Sequence, residues 1–205
     1  MATTLLLLRH GETALTPEGR LSGSGADPAL SETGRRQAEA AAGRIAGLGP
    51  VGAVVSSPLR RCRETAAAAA GRLGLGVGVD EELREADFGA WEGLTFAEVR
   101  ERHPREYAAW LASPAAVPGG TGETFEAVAR RVARVRDGLL ARYEGRTVLV
   151  VSHVVPLRTL VRLALGAPHE ALFRMEVAAA SVSAVTYDGA GTGTVRSLND
   201  TAHLG

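Results

Sequence analysis

The sequence contains no lysine, and all 23 of its basic side chains are arginines. A Walker-type phosphate loop, a Schiff base and a serine–lysine dyad each require lysine, so these three kinds of site are excluded. The single cysteine, Cys62, excludes an intrachain disulfide and a cysteine-based zinc site. A lone cysteine is typical of proteins in a reducing compartment, so we expect a cytoplasmic location.

The chain also lacks an excess of charge and a long apolar run. Its formal net charge is zero, which gives no electrostatic reason to expect a nucleic-acid partner or an anionic membrane. The run Leu5–Leu8 is followed at once by Arg9, so it is too short for a signal peptide or a membrane span. It predicts a buried strand. A length of 205 residues predicts one domain over the whole chain.

Strand and helix patterns alternate along the sequence. Strands are predicted at Thr3–Leu8, Val51–Ser56, Val77–Val79, Thr147–Ser152, Ser181–Tyr187 and Thr194–Leu198. Helices are predicted from Ser31 to about Leu48, from Ser57–Pro58 to Gly71, over about Thr95–Ala112 with an interruption at Pro104, over Phe125–Leu139, and from Pro156 to Leu165. This order predicts a three-layer αβα fold, a doubly wound, mostly parallel sheet with helices on both faces. We expect residues 88–122 to form a small cap.

Ligands of such sheets bind beyond the carboxyl ends of the strands, so the residues that follow each strand matter most. Arg9 and His10 end the first strand. The second strand leads into a helix whose first turn carries Arg61, and His153 follows the strand at residues 147–152. The sequence therefore predicts two histidines and two arginines at one edge of the sheet.

This constellation favours an anion site over a metal site. Neither histidine has a carboxylate or a third histidine at ligand spacing, and the arginines would repel a cation, so we expect neither a metal nor a cofactor. Arginine forks match phosphate oxygens, and neutral imidazole is a good nucleophile toward phosphorus. A carboxyl group must then serve as acid and base. The candidates are Glu12, Asp27, Glu85, Asp87, Glu92 and Glu123.

Five segments in order over almost the whole chain resemble the histidine phosphatase superfamily, the phosphoglycerate-mutase-like proteins. They are residues 8–13 (LRHGET), residues 56–66 (SSPLRR with ETA), residues 83–93 (LREADFG with WEG), residues 118–125 (PGG with GETF) and residues 150–153 (VVSH). The resemblance implies that His10 is the phosphorylated nucleophile. It further implies that Arg9, Arg61 and His153 bind the transferring phosphoryl group and that Glu85 is the acid and base.

The chain departs from the family pattern at three positions. Thr16 stands where asparagine is common, Ser22 stands where a glutamine often occurs, and Val154 replaces the usual glycine after the second histidine. Thr16 and Ser22 keep shorter hydrogen-bonding groups, and we expect them beside the phosphate.

Residues 152–158 (SHVVPLR) and 87–93 (DFGAWEG) look most like the acid phosphatase domain joined to ribonuclease H in actinobacterial fusion proteins, which is akin to the alpha-ribazole phosphatases. This likeness implies a small phosphorylated metabolite as substrate. Since the chain has no room for the nuclease, we expect a stand-alone homologue or an excised domain. Its oligomeric state is left open. The rival functions are phosphoglycerate-mutase-type phosphoryl transfer and a non-catalytic phospho-ligand binding module.

Five of the nine aromatic side chains fall between Phe88 and Trp110. Two interpretations fit this cluster. It is an apolar wall for an organic phosphate, or it is the packing of the small cap.

Overall fold

The computed structural model describes all 205 residues, which fold around one six-stranded sheet. The strands are Thr3–Arg9 (β1), Ala53–Ser56 (β2), Val77–Val79 (β3), Thr147–Ser152 (β4), Val182–Tyr187 (β5) and Gly193–Asp200 (β6). Their spatial order is β3-β2-β4-β1-β5-β6. Strands β3, β2, β4 and β1 are parallel, β5 is antiparallel to β1, and β6 is antiparallel to β5. This mixed, mostly parallel sheet confirms the predicted α/β fold.

Helices cover both faces of the sheet. They are Glu32–Ala46 (α1), Arg60–Leu73 (α2), Phe96–Arg102 (α3), Pro104–Ala112 (α4), Phe125–Arg142 (α5) and Val154–Leu165 (α6). Leu6 and Leu8 of β1 pack with α1 and α2, whereas Leu5 and Leu7 pack with α5 and α6. Because successive side chains of a strand point to opposite faces, a strand covered on both sides must be apolar throughout. This explains the run of four leucines.

Two predicted helix starts are wrong. Helix α2 begins at Arg60 with Leu59 as its N-cap, because the chain bends first. The Ser57 hydroxyl accepts the Leu59 N–H at 3.3 Å within that bend. Helix α6 begins at Val154, two residues before Pro156. Proline is tolerated there because the N–H groups of a first turn have no helical partner. By contrast, α1 begins as predicted, with its preceding serine as cap.

Residues 88–122 carry α3, α4 and two short 3-10 turns. A capping box starts α3, in which Thr95 and Glu98 exchange side-chain to backbone hydrogen bonds. Pro104 occupies the first position of α4 and so separates the two helices, as predicted. The single domain, the cap and the cytoplasmic location stay predictions. No helix has the length and apolar character needed to span a membrane.

Candidate active site

Neighbouring strand ends bring the two predicted histidines together. Arg9 of β1 lies opposite Ser152 of β4 in the parallel register. The backbone N–H of His10 donates to the Ser152 carbonyl at 3.1 Å. His153 follows directly, and the ring centroids of the two histidines are 5.1 Å apart. The structure therefore places both imidazoles side by side at the carboxyl edge of the sheet.

His10 is buried with one defined ring contact. Its Nδ1 lies 2.8 Å from the carbonyl oxygen of Gly11. Since a carbonyl can only accept, Nδ1 carries the proton and Nε2 keeps its lone pair. Burial, with the charges of Arg9 and Arg61, holds the pKa of His10 well below its ordinary value. The ring is therefore neutral near pH 7, with an unprotonated Nε2.

Two guanidinium groups lie near His10, that of the half-buried Arg9 and that of the buried Arg61. Arg9 donates to the Val177 carbonyl at 2.8 Å, and burial lowers its pKa to about 10. Arg61 is fully buried and donates to the carbonyls of Ala26 and Gly23 at 3.0 and 2.9 Å. The Nε–H of each arginine has no partner. Arg9 lines the cavity that contains His10, whereas the fully buried Arg61 does not.

His153 is fully buried and does not line the cavity that contains His10. Its Nε2 lies 2.8 Å from the Ser57 hydroxyl and 3.3 Å from the sulfur of Cys62. Burial and the Arg61 charge hold the pKa of His153 well below its ordinary value. The second imidazole is therefore also neutral at neutral pH.

Glu85 lines the same cavity as Arg9 and His10, and it is 7% exposed. Its Oε1 accepts from the N–H of Ala86 at 2.9 Å and from the N–H of Val155, in the first turn of α6, at 3.3 Å. Burial raises the pKa of the Glu85 carboxyl above its ordinary value. The group therefore holds its proton to a higher pH than a solvated glutamate.

The other five candidate carboxylates do not line this cavity. Each has a structural contact instead. Glu12 accepts from the Ser31 hydroxyl, Asp27 from the Arg60 N–H, Asp87 from the Gly89 N–H and Glu92 from the Ser24 N–H, while Glu123 pairs with Arg131. No group of three or more histidine, cysteine, aspartate or glutamate side chains is placed to hold a metal ion.

Arg131 of α5 holds the segment that carries Glu85. Its guanidinium binds both carboxylate oxygens of Glu123, each at 2.8 Å. It also donates to the carbonyls of Glu82, Arg84 and Glu85. Because one rigid fork makes all these contacts, it fixes the backbone directly beside the Glu85 carboxyl.

Thr16 and Ser22 both line the cavity. The Thr16 hydroxyl accepts the Thr13 N–H at 3.0 Å, so it closes the turn that follows the first histidine segment. Ser22 precedes Gly23, whose carbonyl binds a buried guanidinium. Contact of Thr16 and Ser22 with a phosphate stays a prediction.

Sequence reasoning missed the contacts that hold the His10 loop in place. Thr65 accepts the Gly11 N–H at 3.1 Å and donates to the Arg61 carbonyl at 2.8 Å, which joins α2 to the loop. Gly11 and Gly34 are also in close backbone approach, and a Cβ on either would overlap the other segment. The signal for Thr65 was present, because it stands in the ETA triplet one helical turn after Arg61.

The fold and this site define a family. A model of the histidine phosphatase superfamily, branch 1, matches residues 5–201, and the chain belongs to that family. The resemblance found in the sequence is thereby confirmed.

Three known proteins illustrate the similarity. The bifunctional protein Rv2228c of Mycobacterium tuberculosis is 51% identical over 202 residues, which are 98% of this chain but 55% of that protein. Phosphoserine phosphatase 1 of Hydrogenobacter thermophilus is 33% identical over 201 residues, 98% of this chain and 94% of the relative. The native structure of mycobacterial glucosyl-3-phosphoglycerate phosphatase Rv2419c has a TM-score of 0.87 at 30% identity, covering 98% of this chain and 100% of that one. The chain thus spans about half the length of the mycobacterial bifunctional relative.

Proposed function

We propose that this chain is a metal-independent phosphatase that hydrolyses phosphate monoesters through a phosphohistidine on His10. One observation carries the proposal. The unprotonated Nε2 belongs to a buried imidazole that shares a cavity with Arg9 and with a carboxyl group of raised pKa, that of Glu85. A nucleophile, a phosphoryl-binding cation and a proton donor are the three groups that phosphoryl transfer to an enzyme requires.

In the first step, Nε2 of His10 attacks phosphorus and the bond to the ester oxygen breaks. The protonated Glu85 carboxyl gives its proton to that oxygen, so the alcohol leaves neutral. In the second step, the Glu85 carboxylate takes a proton from water, whose oxygen attacks phosphorus. The P–N bond then breaks, which releases phosphate and restores both side chains.

Arg9 and Arg61 stabilise the charge on the non-bridging oxygens during both steps. Their Nε–H groups have no partner within the protein and are the proposed donors to those oxygens. His153 lies beside the attacking ring and is the further proposed donor to the phosphoryl group. The Ser57 hydroxyl on its Nε2 orients that imidazole.

The named relatives support hydrolysis of small phosphorylated metabolites, since one is a phosphoserine phosphatase and another a glucosyl-3-phosphoglycerate phosphatase. A phosphoglycerate mutase must retain and reorient a bisphosphate intermediate, which calls for a long segment over the site. The segment expected there in this chain, residues 113–121, is short. A non-catalytic binding module has no need of a buried carboxyl whose pKa is raised. Both features favour hydrolysis.

The test combines turnover and trapping. The wild type should hydrolyse p-nitrophenyl phosphate in the presence of EDTA, and His10→Ala should not. Acid quenching during turnover of labelled substrate should trap an acid-labile phosphoenzyme. His103→Ala is the matched control, because that histidine does not line the cavity. No turnover by the wild type would refute the phosphatase, loss of activity with EDTA would refute metal independence, and absence of the phosphoenzyme at millisecond resolution would refute His10 as nucleophile.

A further inference from the structure

The cavity that contains His10 is much larger than a phosphoryl group requires. Its volume is about 600 Å³, and more than half of the residues that line it are apolar. Arg9, His10 and Glu85 occupy one part of the lining. The remainder comes mainly from residues 13–23, from the segments around α3 and α4 with the start of α5, and from residues 172–178. The organic part of an ester bound at His10 would therefore lie against this second region.

Six aromatic side chains form one continuous surface there, which we call the aromatic wall: Phe88, Phe96, Tyr107, Trp110, Phe125 and Phe173. Trp110 lies at its centre, with ring centroids 4.9 Å from Phe125, 5.3 Å from Phe173 and 5.8 Å from Phe96. Phe96 is 42% exposed although it lines the cavity. A ring that served only to pack the α3–α4 segment would be buried in it, so part of the aromatic wall is open to a ligand.

Two further arginines, Arg20 and Arg158, line the cavity. Arg20 is paired with Glu18 at 2.6 Å and with Glu98 at 3.2 Å. Arg158 lies within electrostatic reach of the carboxyl groups of Glu85 and Glu176. Arg158 nevertheless forms no salt bridge, and its buried Nε–H has no partner. Both arginines line the same cavity as the aromatic wall, which itself carries no charged group.

We propose that the site prefers phosphate monoesters whose organic group is apolar, either aryl or extended alkyl, with the aromatic wall as its binding surface. This inference rests on the proposed function, because it places the phosphoryl group at His10. Apolar lining with a few placed polar groups is the usual construction of a site that selects an organic ligand. Small phosphates without an apolar group gain no binding energy from such a surface.

Binding of alkylphosphonates tests the inference without turnover, since the C–P bond is not hydrolysed. Calorimetry should give a Kd that falls from methyl- through butyl- to hexylphosphonate, by roughly threefold to fourfold for each methylene that the wall removes from water. 2-Phenylethylphosphonate should bind more tightly than methylphosphonate. A Kd that does not change along the series overturns the inference, whatever the turnover.

Phe96→Ser should weaken hexylphosphonate by roughly tenfold, equivalent to two methylenes returned to water, and weaken methylphosphonate less. Phe96 is half exposed, so this change should preserve the fold. Leu165→Ser is the matched control, because Leu165 is 56% exposed at the end of α6 and does not line the cavity. Equal losses for the short and long phosphonates in Phe96→Ser would overturn the assignment of the wall.

Turnover separates this inference from the proposed function. With alkyl phosphates, whose leaving groups have similar acidity, kcat/KM should rise with chain length in parallel with the phosphonate affinities. Hydrolysis of p-nitrophenyl phosphate with no chain-length preference would leave the phosphatase standing and refute the apolar specificity. Tight binding of long phosphonates without hydrolysis of any ester would support the apolar site and refute the phosphatase.

Discussion

Arg131 offers a sharp test of how the candidate acid is positioned. Replacing it by methionine keeps an apolar stem of similar length and removes the fork that joins Glu123 to three carbonyls of residues 82–85. Arg131 is 11% exposed and Glu123 is 23% exposed, so water can only partly replace the lost partner. Breaking a fully buried pair costs about 3–5 kcal/mol. Because Glu123 keeps some contact with solvent, we expect Arg131→Met to lower the free energy of unfolding by about 2–3 kcal/mol.

Activity should change in a way that a purely structural role would not produce. The Arg131 charge lowers the pKa of Glu85, so Arg131→Met should move the alkaline limb of the kcat/KM profile to higher pH. Displacing an acid matters most when the leaving oxygen needs its proton. We therefore expect kcat for an alkyl phosphate to fall by about 10²-fold and kcat for p-nitrophenyl phosphate to fall much less. Arg131→Lys should recover the charge effect on the pH profile and only part of the stability.

Arg134 is the matched control, since it lies one turn further along α5. It binds both carboxylate oxygens of Glu82, at 2.8 and 2.6 Å, but it is 63% exposed. Exposed pairs contribute less than about 1 kcal/mol, so Arg134→Met should be nearly neutral in stability and unchanged in kcat. The reasoning would be refuted if Arg131→Met lowered kcat equally for both esters with an unshifted pH profile. It would also be refuted if the two methionine variants were equally stable.

Three further predictions follow from the same contacts. The kcat/KM for an alkyl phosphate should decline as pH rises through the raised pKa of Glu85, and Glu85→Gln should abolish that limb; its survival would assign the limb to another group. His10 and His153 are neutral in the folded state at pH values where the unfolded chain is protonated. Stability should therefore fall as pH drops below about 6.5, by up to about 1.4 kcal/mol per pH unit for each histidine. Chemical denaturation across pH should show a shallower dependence in His153→Gln, and an unchanged slope would contradict the neutral imidazole. Gly34→Ala should lower the free energy of unfolding by about 1–3 kcal/mol through its clash with the Glu12 carbonyl, whereas Gly71→Ala, which meets open space, should not destabilise; equal effects would count against the close approach.

The sheet was predictable because burial on two faces leaves a clear pattern. Continuous apolar runs such as Leu5–Leu8 occur only where both sides of a strand are covered, so β1 and β4 were located to within a residue. The helix starts were harder to predict, because the start signals Ser57 and Pro156 do not mark the first residues of α2 and α6. The Ser57 hydroxyl is engaged with His153 and with the bend before α2. Local signals cannot reveal such long-range partners.

The candidate site likewise has one part that the sequence predicts and one part that it does not. The positions of Arg9, His10 and His153 follow from strand ends, because parallel strands must finish at one edge. Spacing in the sequence does not predict that Glu85 lines the cavity, because the five other candidate carboxylates fitted the role of acid and base equally well. What separates Glu85 from them is its contact with the N–H of Val155, which exists because α6 begins before Pro156. Arg131 and Glu123 likewise meet through the fold, and no pattern around either residue indicates the pair.

The burial of the arginines explains why an anion is the natural ligand of this edge. Arg9 and Arg61 have neutral carbonyl acceptors and no carboxylate, so their charge is solvated by dipoles that balance it only in part. Desolvation accordingly lowers the pKa of Arg9 to about 10. Under the proposed function, a phosphoryl group bound beside His10 would supply the missing counter-charge, and the Nε–H groups that have no partner are the proposed donors to its non-bridging oxygens. Burial and the charges of the same arginines lower the pKa of His10, so the arrangement that favours an anion also keeps the proposed nucleophile neutral.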